Sequence, residues 1–294
     1  MSSSKLTAYM QLARLSNIPT VFSNVLVGVA CVAGVGPFPW GATIFAIVAA
    51  SLLYVGGMAL NDLMDRHIDA EERPQRPIPS GALSLREVKI FTSLCFALPM
   101  LATVALVPRA TYFALALAAA IVLYNVFHKR WTGSLIFMGL CRALVYLFAA
   151  TVAWNLLDNP ARGSGITTFA VLLALYIIGL TVVAQKEVQG GLGYRRWLAV
   201  AMIFLPFFAF LRVTPDIIVW VIPSGIVLAL WLARSARFIL IKPPKVVPAI
   251  LGWLAGISLL DAFFLTFTPR PELALVALAC FAATVAGHRK IAGT

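Results

Sequence analysis

Windows of predominantly apolar residues recur along this chain at about the 17–22 residue length a helix needs to cross a bilayer. Ten can be marked, at residues 18–36, 41–60, 88–107, 111–127, 133–156, 166–184, 196–212, 216–233, 247–267 and 271–288. Several are short, and two pairs meet across tight turns. The longest polar stretch lies at residues 61–89. The pattern predicts an all-α, polytopic membrane helix bundle forming a single transmembrane domain over residues 1–294. It holds no soluble domain and no long linker. The principal non-membrane feature is the loop at 61–87.

Composition agrees with lipid as the solvent. Hydrophobic residues make up 61% and charged residues 12% of the chain, against roughly half and a quarter in a soluble domain. The net charge of +12 fits cationic loops that hold a topology against anionic lipid. No basic stretch is interleaved with stacking aromatics, so no nucleic-acid partner is expected. Cys31, Cys95, Cys141 and Cys280 each lie within an apolar run without CxxC spacing and read as small buried hydrophobes. The N-terminal region is polar through Asn17 and has no clear cleavage site, so no cleavable signal is expected.

Basic residues test the topology. With the N-terminus cytoplasmic, cytoplasmic segments hold 18 of the 23 Lys and Arg residues. The opposite face carries Arg109, Arg162, Arg212 and Arg270, and Arg142 falls inside a span. The bias predicts an integral protein of the cell membrane with an even number of spans and both termini cytoplasmic.

The chemistry concentrates where the second span ends, in Asn61-Asp62-Leu63-Met64-Asp65-Arg66-His67-Ile68-Asp69. Asn61, Asp65 and Asp69 are spaced i, i+4, i+8 and stack along one helix face. Unpaired carboxylates on one face repel, so a cation must compensate. Mg²⁺ is typically held by one or two carboxylates plus substrate phosphates, so the spacing suggests a Mg²⁺–diphosphate site. Asp62 is one residue off this face, in a supporting position. Pro74, Pro77 and Pro79 then stiffen the following loop and forbid a regular helix. That loop holds Arg73 and Arg76 near the membrane face, and arginine suits bidentate phosphate contacts. Ser84-Leu85-Arg86-Glu87 is a capping-box pattern that ends the loop.

The combination NDxxDxxxD and RPxRPxPSG, over 61–81, resembles the first aspartate-rich motif of the UbiA family of intramembrane prenyltransferases. The order of spans is similar over most of the chain, although that family commonly has nine, which puts the expected number at nine to ten. The resemblance implies transfer of a (poly)prenyl group from a prenyl diphosphate donor to an unidentified small-molecule acceptor, often aromatic in the family, with Mg²⁺ as cofactor and membrane lipid as surroundings. It implies Asn61, Asp65 and Asp69 as metal ligands, Arg66 as substrate-binding, and Arg73 and Arg76 as neutralising phosphate. Tyr124-Asn125-Val126-Phe127-His128-Lys129-Arg130 is similar to the family's aromatic–lysine segment, making Tyr124 and Lys129 catalytic candidates. The stretch at 13–19 resembles the family's approach to the first span, with Arg14 and Asn17 able to face the site.

The resemblance implies a second acid motif after the sixth span. This chain instead reads Gln185-Lys186-Glu187-Val188-Gln189-Gly190-Gly191. Glu187 stands where the first acid belongs, while Gly191 has no side chain to offer. A complete second Mg²⁺ site is therefore not expected, and Lys186 takes over part of the neutralisation. Arg142 and Asp261 are ionisable residues within spans and thus functional candidates; Arg142 either reaches substrate or pairs with an acid inside the bundle. His67, His128 and His288 lie at or near cytoplasmic ends and read as interfacial. The mechanism the resemblance implies is Mg²⁺-assisted ionisation of an allylic diphosphate. A transporter and a prenyl-lipid binder without turnover are the competing readings.

Overall fold

The computed structural model describes residues 5–157, 165–184 and 193–290. A short helix α1 (Lys5–Leu12) leads through a 3-10 turn at Leu15–Asn17 into α2 (Ile18–Ala33). Then follow α3 (Trp40–Met64), the short α4 (Arg66–Glu72), α5 (Leu85–Leu106), α6 (Thr111–Phe127), α7 (Leu135–Leu156) and α8 (Ile166–Ala184). The last part comprises α9 (Arg195–Phe204), α10 (Ile218–Leu240), α11 (Val246–Leu265) and α12 (Leu273–His288). No strand occurs among the described residues.

All ten apolar windows are helical, but they are not equivalent. Among the described residues eight helical segments are long and apolar enough to cross a membrane. The window at 196–212 divides into α9 and a 3-10 stretch, Leu205–Arg212, with Pro206 in its first turn. Proline has no N–H to give the preceding turn, which removes one bond of the α-helical ladder where the helix tightens to 3-10. The last window forms α12, whose 16 residues extend about 24 Å, short of a bilayer core of about 30 Å. These two account for the difference from the expected nine to ten spans. The predicted capping box is present: Ser84 accepts from the Glu87 backbone N–H and Glu87 accepts from that of Ser84.

Helices α2 and α7 form the central pair. On one side they contribute Leu26, Val27, Ala143 and Tyr146 to a core shared with α8, α10 and α11. On the other, Val21, Val25, Leu144 and Phe148 join a core shared with α3 and α6. Two glycines permit the close crossings small residues allow in membranes. A Cβ at Gly28 would overlap the Tyr146 carbonyl oxygen, and one at Gly139 would stand 2.7 Å from that of Ala174. Outward faces remain apolar, as with Leu94, Leu98 and Leu101 along α5. Such faces have no place in water and match a lipid surround.

Candidate active site

The site grows from the junction of α3 and α4. Asp65 sits between the two helices with φ −85° and ψ 0°, so the helix is interrupted there. The i→i−4 hydrogen bonds nevertheless persist. Asp65 N–H donates to the Asn61 carbonyl at 2.9 Å, Asp69 to Asp65 at 2.8 Å and Arg73 to Asp69 at 2.9 Å. One face is therefore preserved across the break, and Asn61, Asp65 and Asp69 all border the same cavity.

Cations from distant parts of the chain meet these acids. Arg76, placed by the proline-rich loop, donates to Asp69 at 2.6 Å and to Asp62 at 3.2 Å. Asp62 faces inward beside the predicted face and also lies 3.6 Å from Arg14. Arg14 donates to Asn61 at 3.4 Å. Its backbone is left-handed, with φ 44°, an uncommon conformation for a side-chain-bearing residue, and it separates α1 from the turn leading into α2. Asp62 thus ties two arginines to the acid face.

The end of α6 completes the polar rim. His128 stacks on Tyr124 with ring centroids 5.3 Å apart, and its Nε2 lies 3.2 Å from Asp65 Oδ2. This corrects the interfacial reading of His128: the α6 terminus turns it onto the acid face. Burial by itself would raise the Asp65 carboxyl. The hydrogen bond and charge of His128, then the charges of Lys129 and Arg76, outweigh burial and hold it below the ordinary carboxylate range. His288 likewise is not merely interfacial, since its Nε2 lies 2.7 Å from Asn17 Oδ1.

These groups surround the mouth of a cavity of about 730 Å³. Its rim carries Arg14, Arg73, Arg76, Lys129, Arg130 and Arg195 against Asp65, Asp69, Glu71 and Glu72, an excess of positive charge suited to a polyanion. Deeper, one wall is apolar through Ala50, Leu117 and Ile121, and the other through Ile177, Leu180, Ile250, Leu254 and Ile257. Arg142 lines the cavity below the rim. Its Nη1 donates to Asn24 Oδ1 at 2.8 Å, and Asn24 Nδ2 donates to Asp261 Oδ2 at 2.8 Å. The partner the sequence leaves unidentified for Asp261 is therefore this asparagine, with Tyr146 and Ser23 donating to the same carboxylate.

Of the residues singled out in the sequence, the structure gathers Asn17, Asn61, Asp65, Asp69, Arg73, Arg76, Tyr124, Lys129 and Arg142 around one cavity. Arg66 does not join them. It is exposed, and its guanidinium donates to the Leu63 carbonyl at 3.1 Å, because one helical step from Asp65 turns it away from the acid face. Lys186 and Glu187 lie outside the described residues. Arg130, which closes the aromatic–lysine segment, and Arg195, whose sequence signal is confined to general charge asymmetry, line the same cavity.

The donor set fits Mg²⁺ shared with a substrate. Asn61, Asp65 and Asp69 offer hard oxygens on one face. Among the described residues no group of three His, Cys, Asp or Glu side chains forms a metal cage, so a Mg²⁺ ion at this face would need further oxygen ligands from a bound phosphate.

Comparison with known proteins places this arrangement. The model of the UbiA prenyltransferase family matches residues 21–251. The chain belongs to that family. Among curated relatives, digeranylgeranylglyceryl phosphate synthase of Ignicoccus hospitalis is 29% identical over 196 residues, which is 65% of this chain and 62% of the relative. The synthase of that name from Methanopyrus kandleri is 42% identical over 90 residues, 31% of this chain and 32% of its own. The matched stretches thus span from about a third to three fifths of those relatives' lengths. Two solved structures share the fold. A UbiA homolog from Archaeoglobus fulgidus bound to DMAPP and Mg²⁺ superposes with a TM-score of 0.56 at 15% identity, over 96% of this chain and 99% of that one. The apo UbiA homolog from Aeropyrum pernix K1 gives 0.53 at 16% identity, over 98% of each chain. The chain is accordingly an integral membrane protein of the UbiA prenyltransferase fold, with Asn61, Asp65 and Asp69 at the cavity mouth.

Proposed function

We propose that this protein transfers a prenyl group from an allylic prenyl diphosphate to the hydroxyl of a glyceryl phosphate lipid. The observation that carries the reading is the acid face of Asn61, Asp65 and Asp69, ringed by cations, at the mouth of an otherwise largely apolar cavity. A diphosphate suits the rim and a hydrocarbon chain suits the walls. Mg²⁺ held by Asn61, Asp65 and Asp69, with Glu187 as a further ligand, would supply charge neutralisation for the leaving diphosphate.

The chain's own residues do the rest. Arg73, Arg76, Lys129 and Lys186 donate to diphosphate oxygens, where negative charge grows as the bond to C1 breaks. Asp62 holds Arg76 in place. Tyr124, held against His128, walls the reacting end, and Asn17 borders the same cavity. Apolar side chains below keep water from the allylic cation. The acceptor oxygen bonds to C1, the C1–O bond to diphosphate breaks with its electron pair on diphosphate, and the hydroxyl proton departs with that leaving group. Arg66, pointing away, has no part in this. The basic asymmetry supports a cytoplasmic site and cytoplasmic termini.

Three observations favour a glyceryl phosphate acceptor over an aromatic one. Relatives carry the name of synthases of digeranylgeranylglyceryl phosphate. The rim has more cations than its own acids use. The cavity has two apolar walls, room for a chain on the donor and another on the acceptor.

The test uses purified protein in lipid nanodiscs with geranylgeranyl diphosphate, with and without Mg²⁺, offered either geranylgeranylglyceryl phosphate or a hydroxybenzoate. Mg²⁺-dependent diphosphate release with an ether product of the glyceryl phosphate, identified by mass, is expected. No release with either acceptor overturns the transferase reading, and a prenylated hydroxybenzoate overturns the acceptor class.

A further inference from the structure

The Arg142 network lies apart from the acid motif and has a distinct chemical logic. Asp261, on α11, is fully buried, and Asn24 on α2 is likewise inaccessible. The Asp261 carboxylate already accepts from Tyr146, Ser23 and Asn24, and Ser23 is further linked to Ser258 at 3.0 Å. It is satisfied without touching Arg142. The guanidinium stands one amide further out, on the cavity wall, where it lies over the Tyr54 ring at 5.5 Å from the centroid. The amide of Asn24 is thus a spacer. The acid stays in the helix core while the guanidinium faces the cavity.

Depth decides what that positive charge can meet. Tyr54 precedes Asn61 on α3 by seven residues, about 10 Å of helix rise. Arg142 therefore sits below the acid face, and the diphosphate there has rim cations of its own. Next to Arg142 a donor substrate presents hydrocarbon, which offers a guanidinium no hydrogen-bond acceptor. Desolvating a guanidinium against hydrocarbon alone is costly. Among the described residues Asn24 is the one hydrogen-bond acceptor the structure gives it, while arginine has five N–H donors. The ligand group that satisfies it carries oxygen and is not on the donor's tail.

We propose that Arg142 is a specificity-determining residue that donates to an oxygen of the acceptor substrate, with Asn24 and Asp261 as positioning residues that orient it from behind. Arg142 stands between the two apolar walls, so an acceptor oxygen bound there lies beside the donor chain and under the departing diphosphate. A guanidinium fixed in advance restricts the acceptor to molecules bearing an oxygen at that depth, since an analogue without one leaves a buried donor unpaired. This inference rests on the transferase reading for its substrate, but not for its binding test.

The experiment compares wild type, Arg142→Gln, Asp261→Asn and the double variant in nanodiscs, with geranylgeranyl diphosphate as donor and geranylgeranylglyceryl phosphate as acceptor. Arg142→Gln should raise the acceptor KM about tenfold or more, the scale of one lost charged hydrogen bond, while the donor KM changes less than about twofold. The share of prenyl alcohol among products should rise, because ionisation continues without a positioned nucleophile. Asp261→Asn should show the same split, smaller. The double variant should be no worse than Arg142→Gln alone, a non-additivity that general destabilisation would not produce. A second arm measures the thermal shift caused by acceptor alone, without donor or Mg²⁺. A shift in wild type that Arg142→Gln loses supports the inference even if no diphosphate is ever released, an outcome that would count against the transferase reading alone. Equal shifts in both proteins, no shift in wild type, or a donor KM that rises with the acceptor KM overturns it.

Discussion

Asp62 is the residue whose structural position changes its expected importance most. The Asp62→Ala variant removes a carboxylate that lies 3.2 Å from Arg76 and 3.6 Å from Arg14. Its side chain is 7% exposed, against 13% for Arg76 and 19% for Arg14, so solvent screens these pairs only in part. Arg76 keeps its 2.6 Å bond to Asp69 and is not left as a bare buried charge. The loss is therefore one charged hydrogen bond and its positioning, about 1.5–3 kcal/mol, rather than the larger penalty of a fully orphaned ion. That corresponds to about 10–100-fold in kcat/KM for the prenyl diphosphate. With Asp62 gone, Arg76 collapses onto Asp69 and competes with Mg²⁺ for it, so the Mg²⁺ concentration giving half-maximal rate should also rise. Initial rates of diphosphate release across an Mg²⁺ series measure both effects, with thermal unfolding in detergent as the folding control. A kcat/KM within twofold of wild type, together with an unchanged Mg²⁺ response, refutes the idea that Asp62 positions the arginines.

Three further outcomes are expected. Arg66→Ala should leave diphosphate release within about twofold of wild type, the scale of an exposed charge that makes no site contact, as the same rate assay shows. Gly28→Leu should lower the thermal midpoint in detergent by the equivalent of about 1–3 kcal/mol, because its side chain would be forced against the α7 backbone at Tyr146; a midpoint equal to wild type would mean the α2–α7 crossing is looser than described. In metal-free protein held in EDTA, the depressed Asp65 carboxyl contributes stability at pH values above its unfolded value, and that contribution is lost as pH falls through the folded one. His128→Ala removes the leading favourable partner, so thermal midpoints followed from neutral to acidic pH should show a smaller acid-induced loss than wild type.

The sequence by itself determined what backbone geometry fixes locally. Runs of apolar residues long enough for a bilayer forced helices, because every backbone polar group in lipid must be paired within the chain. The four-residue spacing of Asn61, Asp65 and Asp69 put them on one face whatever surrounded them, and this survived even the interruption at Asp65. Prolines 74, 77 and 79 and the Ser84–Glu87 box marked the loop and its end through the loss of N–H donors and the gain of a cap. Tertiary structure decided which distant groups met. Arg142 and Asn24 are 118 residues apart, and Asn24 and Asp261 are 237 apart, so no local period links them. Their pairing follows from how α2, α7 and α11 pack. His128 was equally compatible with an interfacial place and with the acid face, and only the angle at which α6 meets the α3–α4 junction selected Asp65 as its partner. Arg66 shows the converse. The family resemblance implied a substrate ligand there, but a single helical step of about 100° carries it to solvent. The acid cluster is thus a property of the chain, whereas the cavity below it, and the guanidinium set into its wall, belong to the packed bundle.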